Sequence, residues 1–461
     1  MKVKSLILII ALAGFSTAQS GEFGDLVASF GTTRTVAGIQ HAITSNPDGT
    51  GINFWSASSE GSDANGVGLS NPHIAAGDAY GNIYIADKAS HSILKITRDG
   101  RIHTWAGKHV AGFNGDGPAA ATDLLISNPN GLFVLPDGTV YLLDPGNHRI
   151  RRVDLHGMMT TVVNDPASDW APSGRARWVS PNGQLIYYTH EFAAIPPAVI
   201  ADGATIKQWT ATGGIQTVCD KSVGFRNPGN IAVNPVNGKL YVTDRAEEDP
   251  TKMAMGLFRI DGPNQRTRMT GDAKKPSAKT GALAVNSFIA EPGGIAFRFD
   301  GSFFICGHTD GNVWFIDTQG ILHNFLSGTG KKDGFKIADG LQPPLIDKNY
   351  FAQPRAVTLS PNGNLIVVSN DSGRVFEVSN VQPKVGPEQV TLNVQSLNNI
   401  QLQWTGVVGA GYRVERSSEL QPANWVAIGA TGGGGLDRKT VFIDERAAGF
   451  VRGFYRILPA L

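Results

Sequence analysis

Residues 138–153 read Gly-Thr-Val-Tyr-Leu-Leu-Asp-Pro-Gly-Asn-His-Arg-Ile-Arg-Arg-Val, a turn glycine, an apolar run ending in Asp144, a Pro145-Gly146-Asn147 turn and a second run from Ile150. Short apolar runs bounded by turn residues read as strands, and the turns between them make the pairing antiparallel. Working outward, an apolar residue three before a proline precedes this segment, and that frame recurs as Leu69…Pro72, Ile126…Pro129, Phe225…Pro228, Ile289…Pro292 and Phe351…Pro354. A turn glycine follows each proline by nine or ten residues, at Gly81, Gly138, Gly238, Gly301 and Gly363, and a buried second strand follows each glycine, as in Ile83–Ile85 or Leu365–Val367. Third strands are expected at Ile93–Ile96, Ile150–Val153, Leu257–Ile260, Val313–Ile316 and Val375–Val378. Fourth strands are expected at Ile102–Trp105 and Ile321–Phe325. A degenerate sixth unit lies between, with Pro172, Gly183, Leu185–Tyr188, Ile206–Trp209 and Ile215–Val218.

Six four-stranded units of this kind predict an all-β chain folded as a six-bladed β-propeller, because radial repetition protects the sheet edges. The ends agree with that count. The last unit runs out of strands near Val378, while Thr33-Arg34-Thr35-Val36-Ala37-Gly38 matches the fourth-strand ending Thr104-Trp105-Ala106-Gly107. The N-terminal strand is therefore expected to complete the last blade, and deletion of 30–38 to destabilise the whole ring.

Beyond the repeat, the 461 residues carry 40 basic and 39 acidic side chains, a net charge of +1, with 56 Gly, 25 Pro and 2 Cys. No basic run exists to serve a nucleic acid or a membrane surface. Lys2 and Lys4, the apolar run Leu6–Phe15 and the small residues Ser16-Thr17-Ala18 read as a secretory signal peptide spanning 1–18, cleaved after Ala18. The run is too short to span a bilayer, and no later segment is long and apolar enough. A lipid anchor is ruled out because Phe15 stands where an acylated cysteine would have to be. Export to a periplasm or the exterior follows, where oxidation is permitted. Yet Cys219 and Cys306 fall in different units and are expected as two buried thiols.

The repeats carry a resemblance. Gly81-Asn82-Ile83-Tyr84-Ile85-Ala86-Asp87 with His91, and Gly138 through Ile150, resemble the NHL repeat, and the segment 111–129 with Asn114-Gly115-Asp116-Gly117 is similar to that family's inter-blade linker. The resemblance covers about 26–381. It implies a six-bladed propeller often used as a binding platform, with scattered members acting as lyases or hydrolases. After a short stiff linker, 382–387, the texture changes. Strands expected at 390–394, 400–404, 412–415, 425–429, 440–443 and 454–457 make 388–461 a small β-sandwich. Gln401–Gly406, Tyr412–Val414 and Phe454–Arg456 resemble a fibronectin-type-III-like module.

In a propeller, function gathers where loops entering the innermost strands and leaving the second strands converge. Counting from the repeat prolines selects His73, Asn130, Asn230 and Arg355; counting from the glycines selects Asp87, Asp144, Thr189, Asp244, Gly307 and Ser369, with His190, Glu191, His308, Asn370 and Asp371 alongside. His73, Asn130, Asn230, Arg355, His190, Glu191 and His308 are the candidate ligand-binding residues, for a small molecule, glycan, peptide or protein. In an NHL-like repeat the Asp after the second strand caps a turn, with His91 and His148 as turn partners of Asp87 and Asp144. Arg245–Asp249 reads as a solvated loop. A zinc site on His190, Glu191 and His308 lacks any close-spaced ligand pair. There is no Gly-x-Ser-x-Gly elbow, and Thr431–Gly435 lacks the Lys-Ser or Lys-Thr of a phosphate cradle. Most of the tryptophans at 55, 105, 170, 178, 209 and 314 read as packing residues. The leading expectation is a secreted binding module. The alternative is a calcium-dependent, gluconolactonase-like hydrolase with Asn130, Asp144, Asn230, Asp244 and Glu291 around the cation, since Asn130-Gly131 and Asn230-Ile231 look similar to ligand-bearing segments of that superfamily.

Overall fold

A computed structural model describes residues 22–39, 51–166, 177–190, 204–245, 255–329, 339–346, 352–381, 388–396, 399–405, 411–419, 425–432, 439–444 and 454–459. The signal-peptide segment, the linker 382–387 and Glu191 lie outside them. The described chain is mostly β, with one α-helix, Glu22–Ala28, which the repeat pattern does not announce. No described helix is long and apolar enough to cross a membrane.

Among the described residues, the repeat segment forms six antiparallel sheets in chain order. The first sheet joins Pro72–Gly77, Ile83–Asp87, Ser92–Ile96 and Ile102–Gly107, hydrogen-bonded in sequence order. The second begins at Gly131–Val134 and Val140–Asp144 and gains a two-residue edge, Ala119–Ala120. The third runs from Arg177–Val179 to Gly214–Cys219, the fourth from Pro228–Val233 to Gln265–Arg268, and the fifth from Pro292–Phe297 to Leu322–Leu326. The sixth takes Pro354–Leu359, Leu365–Ser369 and Arg374–Asn380, and its outer strand is Phe30–Ala37 from the N-terminus, paired antiparallel to Arg374–Asn380.

Proline opens the first strand of four sheets because its missing N–H costs nothing at a strand's first residue. The six hairpin glycines, from Gly81 to Gly363, all have φ between +66° and +92°, where a Cβ is strained. Second strands are buried along their whole length in five of the sheets. Residues covered on both faces read as continuous apolar runs, and the clusters they build join neighbouring sheets: Leu143 with Ile186, Ile206 with Val242, Tyr241 with Ile305, Phe304 with Val367, and Ile85 with Leu142 and Val368. The first strands touch in succession, and the sixth returns to the first. This cyclic arrangement is β-propeller-like. Cys219 and Cys306 are buried free thiols.

The C-terminal residues form two three-stranded sheets, Glu388–Ser396, Asn399–Thr405 and Lys439–Asp444 against Val426–Gly432, Gly411–Ser417 and Phe454–Pro459. Leu402, Trp404, Tyr412, Val414 and Ile428 are buried between them. This module rests on the hairpin turn of the first sheet. Arg413 Nη1 donates to the Ala79 carbonyl at 2.8 Å, and the Ala427 N–H donates to Tyr80 Oη at 2.8 Å.

Candidate functional site

The first strands do not run straight from their prolines. Register shifts between Pro72 and Ile74, Pro228 and Asn230, Pro292 and Ile295, and Pro354 and Ala356 mark a bulge at the same place in four sheets. A bulge leaves one residue unpaired and re-aims its side chain. His73 and Arg355 are such residues. Their counterparts are glycines, and the space is occupied: a Cβ on Gly229 would meet Arg245 Cδ at 2.8 Å, and one on Gly293 would meet Cys306 Sγ at 2.9 Å.

These side chains meet a second set from the ends of the second strands. His308 Nδ1 lies 3.0 Å from Glu291 Oε2, while His308 Nε2 lies 3.5 Å from Asp371 Oδ2. Thr309 Oγ1 donates to Glu291 Oε2, and Arg245 Nη2 stands 3.6 Å from Glu291 Oε1. Glu291 holds φ = +45°, a left-handed conformation unusual for a non-glycine residue. Asn370 Nδ2 donates to Asn71 Oδ1 at 3.1 Å, tying the sixth sheet to the first. Burial pushes the Glu291 carboxyl up, but the His308 hydrogen bond and the Arg245 and Arg355 charges outweigh it and hold it below its ordinary value. Arg355 is brought down to about 9 by burial and by the neighbouring Arg245 guanidinium. Burial, with Lys88 and Arg355 nearby, holds His73 well below the usual histidine range, so it is neutral at pH 7. Arg245 Nε and Nη1, Arg355 Nε and Asn370 Oδ1 have no hydrogen-bond partner among the described residues.

Thus His73, Arg355 and His308, together with Glu291, are brought to one end of the ring. Arg245 belongs with them, contrary to the expectation of a solvated loop at Arg245–Asp249. It is 6% exposed and faces Glu291, while 246–249 lie outside the described residues. The signal for it was present: Arg245 follows the repeat position of Asp244 as His308 follows Gly307 and Asn370 follows Ser369. Asn130 is fully buried. Asn230 accepts the N–H of Ile231 at 2.8 Å and borders the axial cavity described below. His190 ends the strand Leu185–His190.

The repeat aspartates do other work. Asp87 Oδ2 accepts the Ser70 N–H (2.9 Å), Asp144 Oδ1 the Ser127 N–H (2.7 Å), and Asp244 the N–H groups of Arg226 (2.9 Å) and Asn227 (2.8 Å). Each carboxylate clamps the loop that enters its own sheet, as a capping aspartate should. Contrary to expectation, His91 is not a side-chain partner of Asp87. His91 Nδ1 instead accepts the Asn128 N–H of the next unit at 3.1 Å, and His91 and His148 both sit at left-handed positions. Asp144 also pairs with Arg151 at 2.8 Å. Asp144 and Asp244 are thereby engaged in two separate sheets. Among the described residues no group of three or more His, Cys, Asp or Glu is placed to hold a metal ion.

Toward the opposite end, the axis opens into a cavity of about 620 Å³. Ile74, Leu132, Val179, Ile231, Ile295 and Leu359, one from each sheet, line it. Arg177 and Asn230 are polar members of its wall, and Gly429, Val441 and Phe442 of the C-terminal module reach its rim. Burial alone drives the Arg177 guanidinium well below its ordinary pKa.

No protein-family model and no curated protein matches the chain. Solved structures do. The chain is similar to a structural-genomics protein of unknown function from Bacteroides thetaiotaomicron, at 11% identity and a TM-score of 0.54, over 76% of this chain and 75% of that one. It is also similar to an auxiliary nutrient binding protein from Bacteroides ovatus, at 12% identity and 0.51, over 77% and 78%. A gluconolactonase from Xanthomonas campestris aligns at 14% identity with a TM-score of 0.44, over 75% and 98%. At such identities the two likenesses above a TM-score of 0.5 bear on the fold alone, and they accord with the β-propeller-like arrangement.

Proposed function

We propose that this chain is a secreted binding protein: a six-bladed NHL-type propeller over 26–381, closed by its N-terminal strand and followed after a linker by a fibronectin-III-like sandwich. The ligand site is the charged cluster of His73, Arg245, Glu291, His308, Arg355 and Asp371. One observation carries this reading. Four repeats converge on a buried cluster in which donors on Arg245 and Arg355 and an acceptor on Asn370 have no hydrogen-bond partner among the described residues. A buried polar atom left unpaired costs about 1–3 kcal/mol, so such a group is stable only with something to bond. A ligand rich in hydroxyls, each both donor and acceptor, suits a mixed set of unmet donors and acceptors. A glycan unit or a related polyol is the chemistry proposed, with His190 and Glu191 as further candidate contacts. The nutrient-binding neighbour is compatible with this reading.

Calorimetric titration of the mature chain with a panel of mono- and oligosaccharides tests it. Saturable binding is expected, weakened at least tenfold in Arg245→Met and Arg355→Met. The calcium-hydrolase alternative, with Asn130, Asn230 and Glu291 at the cation, predicts a different result. Stoichiometric calcium in the purified protein, with lactone hydrolysis abolished by a chelator, would overturn the binding-module reading.

A further inference from the structure

The axial cavity is separate in chemistry from the charged cluster. Its 620 Å³ falls within the roughly 300–1,000 Å³ typical of pockets that enclose small organic molecules. Each of the six sheets lends its wall an aliphatic residue, the lining acid Asp300 is paired with Arg298 at 3.1 Å, and a desolvated cation, Arg177, is set into it at 3% exposure. We propose that this cavity is a second binding site, for an apolar monoanion, whose acid group meets Arg177 and whose hydrocarbon body lies against the sheet walls beside Phe442.

Complementarity selects the anion. A neutral apolar molecule would gain only the walls, and a cationic one would meet like charge in a low-dielectric setting. A carboxylate gains charge-assisted hydrogen bonds, and a guanidinium with five donors is not exhausted by one acceptor, so Arg177 can serve a protein partner and a ligand together. The C-terminal module takes part. Phe442 approaches the rim because position 429 is glycine: a Cβ there would overlap the Phe442 ring. The Arg413 and Ala427 hydrogen bonds to Ala79 and Tyr80 hold the module at this end. The module is thereby one wall of the site and not an independent appendage.

The test uses the intact mature chain, decanoate and decanol as matched probes, and 8-anilinonaphthalene-1-sulfonate as reporter, with a cooperative melt recorded on the same sample to show that reporter binding is to the native state. One reporter molecule per chain is expected, displaced by decanoate at least tenfold more effectively than by decanol. Arg177→Met should abolish that preference, while Ala76→Phe, which fills the cavity from a half-exposed position in its wall, should remove both probes. Phe442→Ala should speed decanoate release. Lack of saturable binding by the folded chain, or equal displacement by decanoate and decanol, would overturn the proposal, and the second criterion stands on the unaltered protein even if Arg177→Met fails to fold. Saccharide binding at the other end should be unchanged in Ala76→Phe, so the two sites fail or survive separately.

Discussion

Asp87 and Asp144 occupy the same position in consecutive repeats and make the same clamp, yet their electrostatics differ. Asp144 has Arg151 at 2.8 Å, both side chains fully buried, and this pairing offsets part of the desolvation that still leaves its carboxyl raised. Asp87 Oδ1 has no hydrogen-bond partner among the described residues, and burial carries its pKa to about 6 against the ordinary 3.8. The folded state therefore holds a proton that the unfolded chain has released between about pH 4 and 6. Stability from this group falls as pH rises through that window, by an amount of order 3 kcal/mol. Asp87→Asn keeps an acceptor for the Ser70 N–H and removes the titration. Chemical denaturation across pH 4–7 should show a flatter pH dependence for the variant. A slope equal to that of the unaltered chain would place the proton elsewhere. The clamp itself was legible in the repeat, because an acid at the end of an apolar run recurs with period. The difference between the two aspartates was not, since it depends on whether an arginine on the next strand folds back or no cation stands there.

Among the elements, Phe30–Ala37 matters beyond its eight residues. It supplies the outer strand of the sixth sheet, and Phe30, 2% exposed, packs edge-on to Phe304 and Phe325 of the fifth at 6.0 and 5.2 Å. One strand thus joins segments some 340 positions apart and binds two sheets face to face, as the pairing of Arg34 with Glu377 makes explicit. Truncating Phe30 to alanine should cost about 3–5 kcal/mol, as for other fully buried phenylalanines. The loss should appear as one cooperative shift in thermal unfolding of the entire ring. A separate low-temperature transition confined to the sixth sheet would contradict that coupling. The pairing of this strand was anticipated from its matching Ala-Gly ending, whereas the bulges at His73 and Arg355 were not. First strands such as Pro72–Gly77 and Pro292–Phe297 are buried on both faces, so there is no alternation for the extra residue to interrupt.

For the molecule as a whole, the consequential contact is between the C-terminal module and the first sheet. Arg413 is 7% exposed and Tyr80 lies beneath it, its ring 5.9 Å from the guanidinium. Arg413→Met with Tyr80→Phe removes both polar ties, and Glu415, which loses its Arg413 partner, keeps Arg456 at 2.6 Å. The doubly substituted chain should keep its circular dichroism and show a larger radius of gyration in solution scattering. An unchanged radius would mean that apolar packing around Phe442 holds the module by itself. Local chain chemistry determined much here: prolines that open strands, glycines that alone tolerate the hairpin geometry, and apolar runs whose period reports burial on two faces. Those are short-range requirements, so each residue carries its own record of them. Tertiary structure alone decided which charges meet. Arg245, Glu291, His308 and Asp371 come from three different repeats, and Arg177 and Phe442, 265 positions apart, face one cavity, because closing a ring sets distances that no linear spacing encodes.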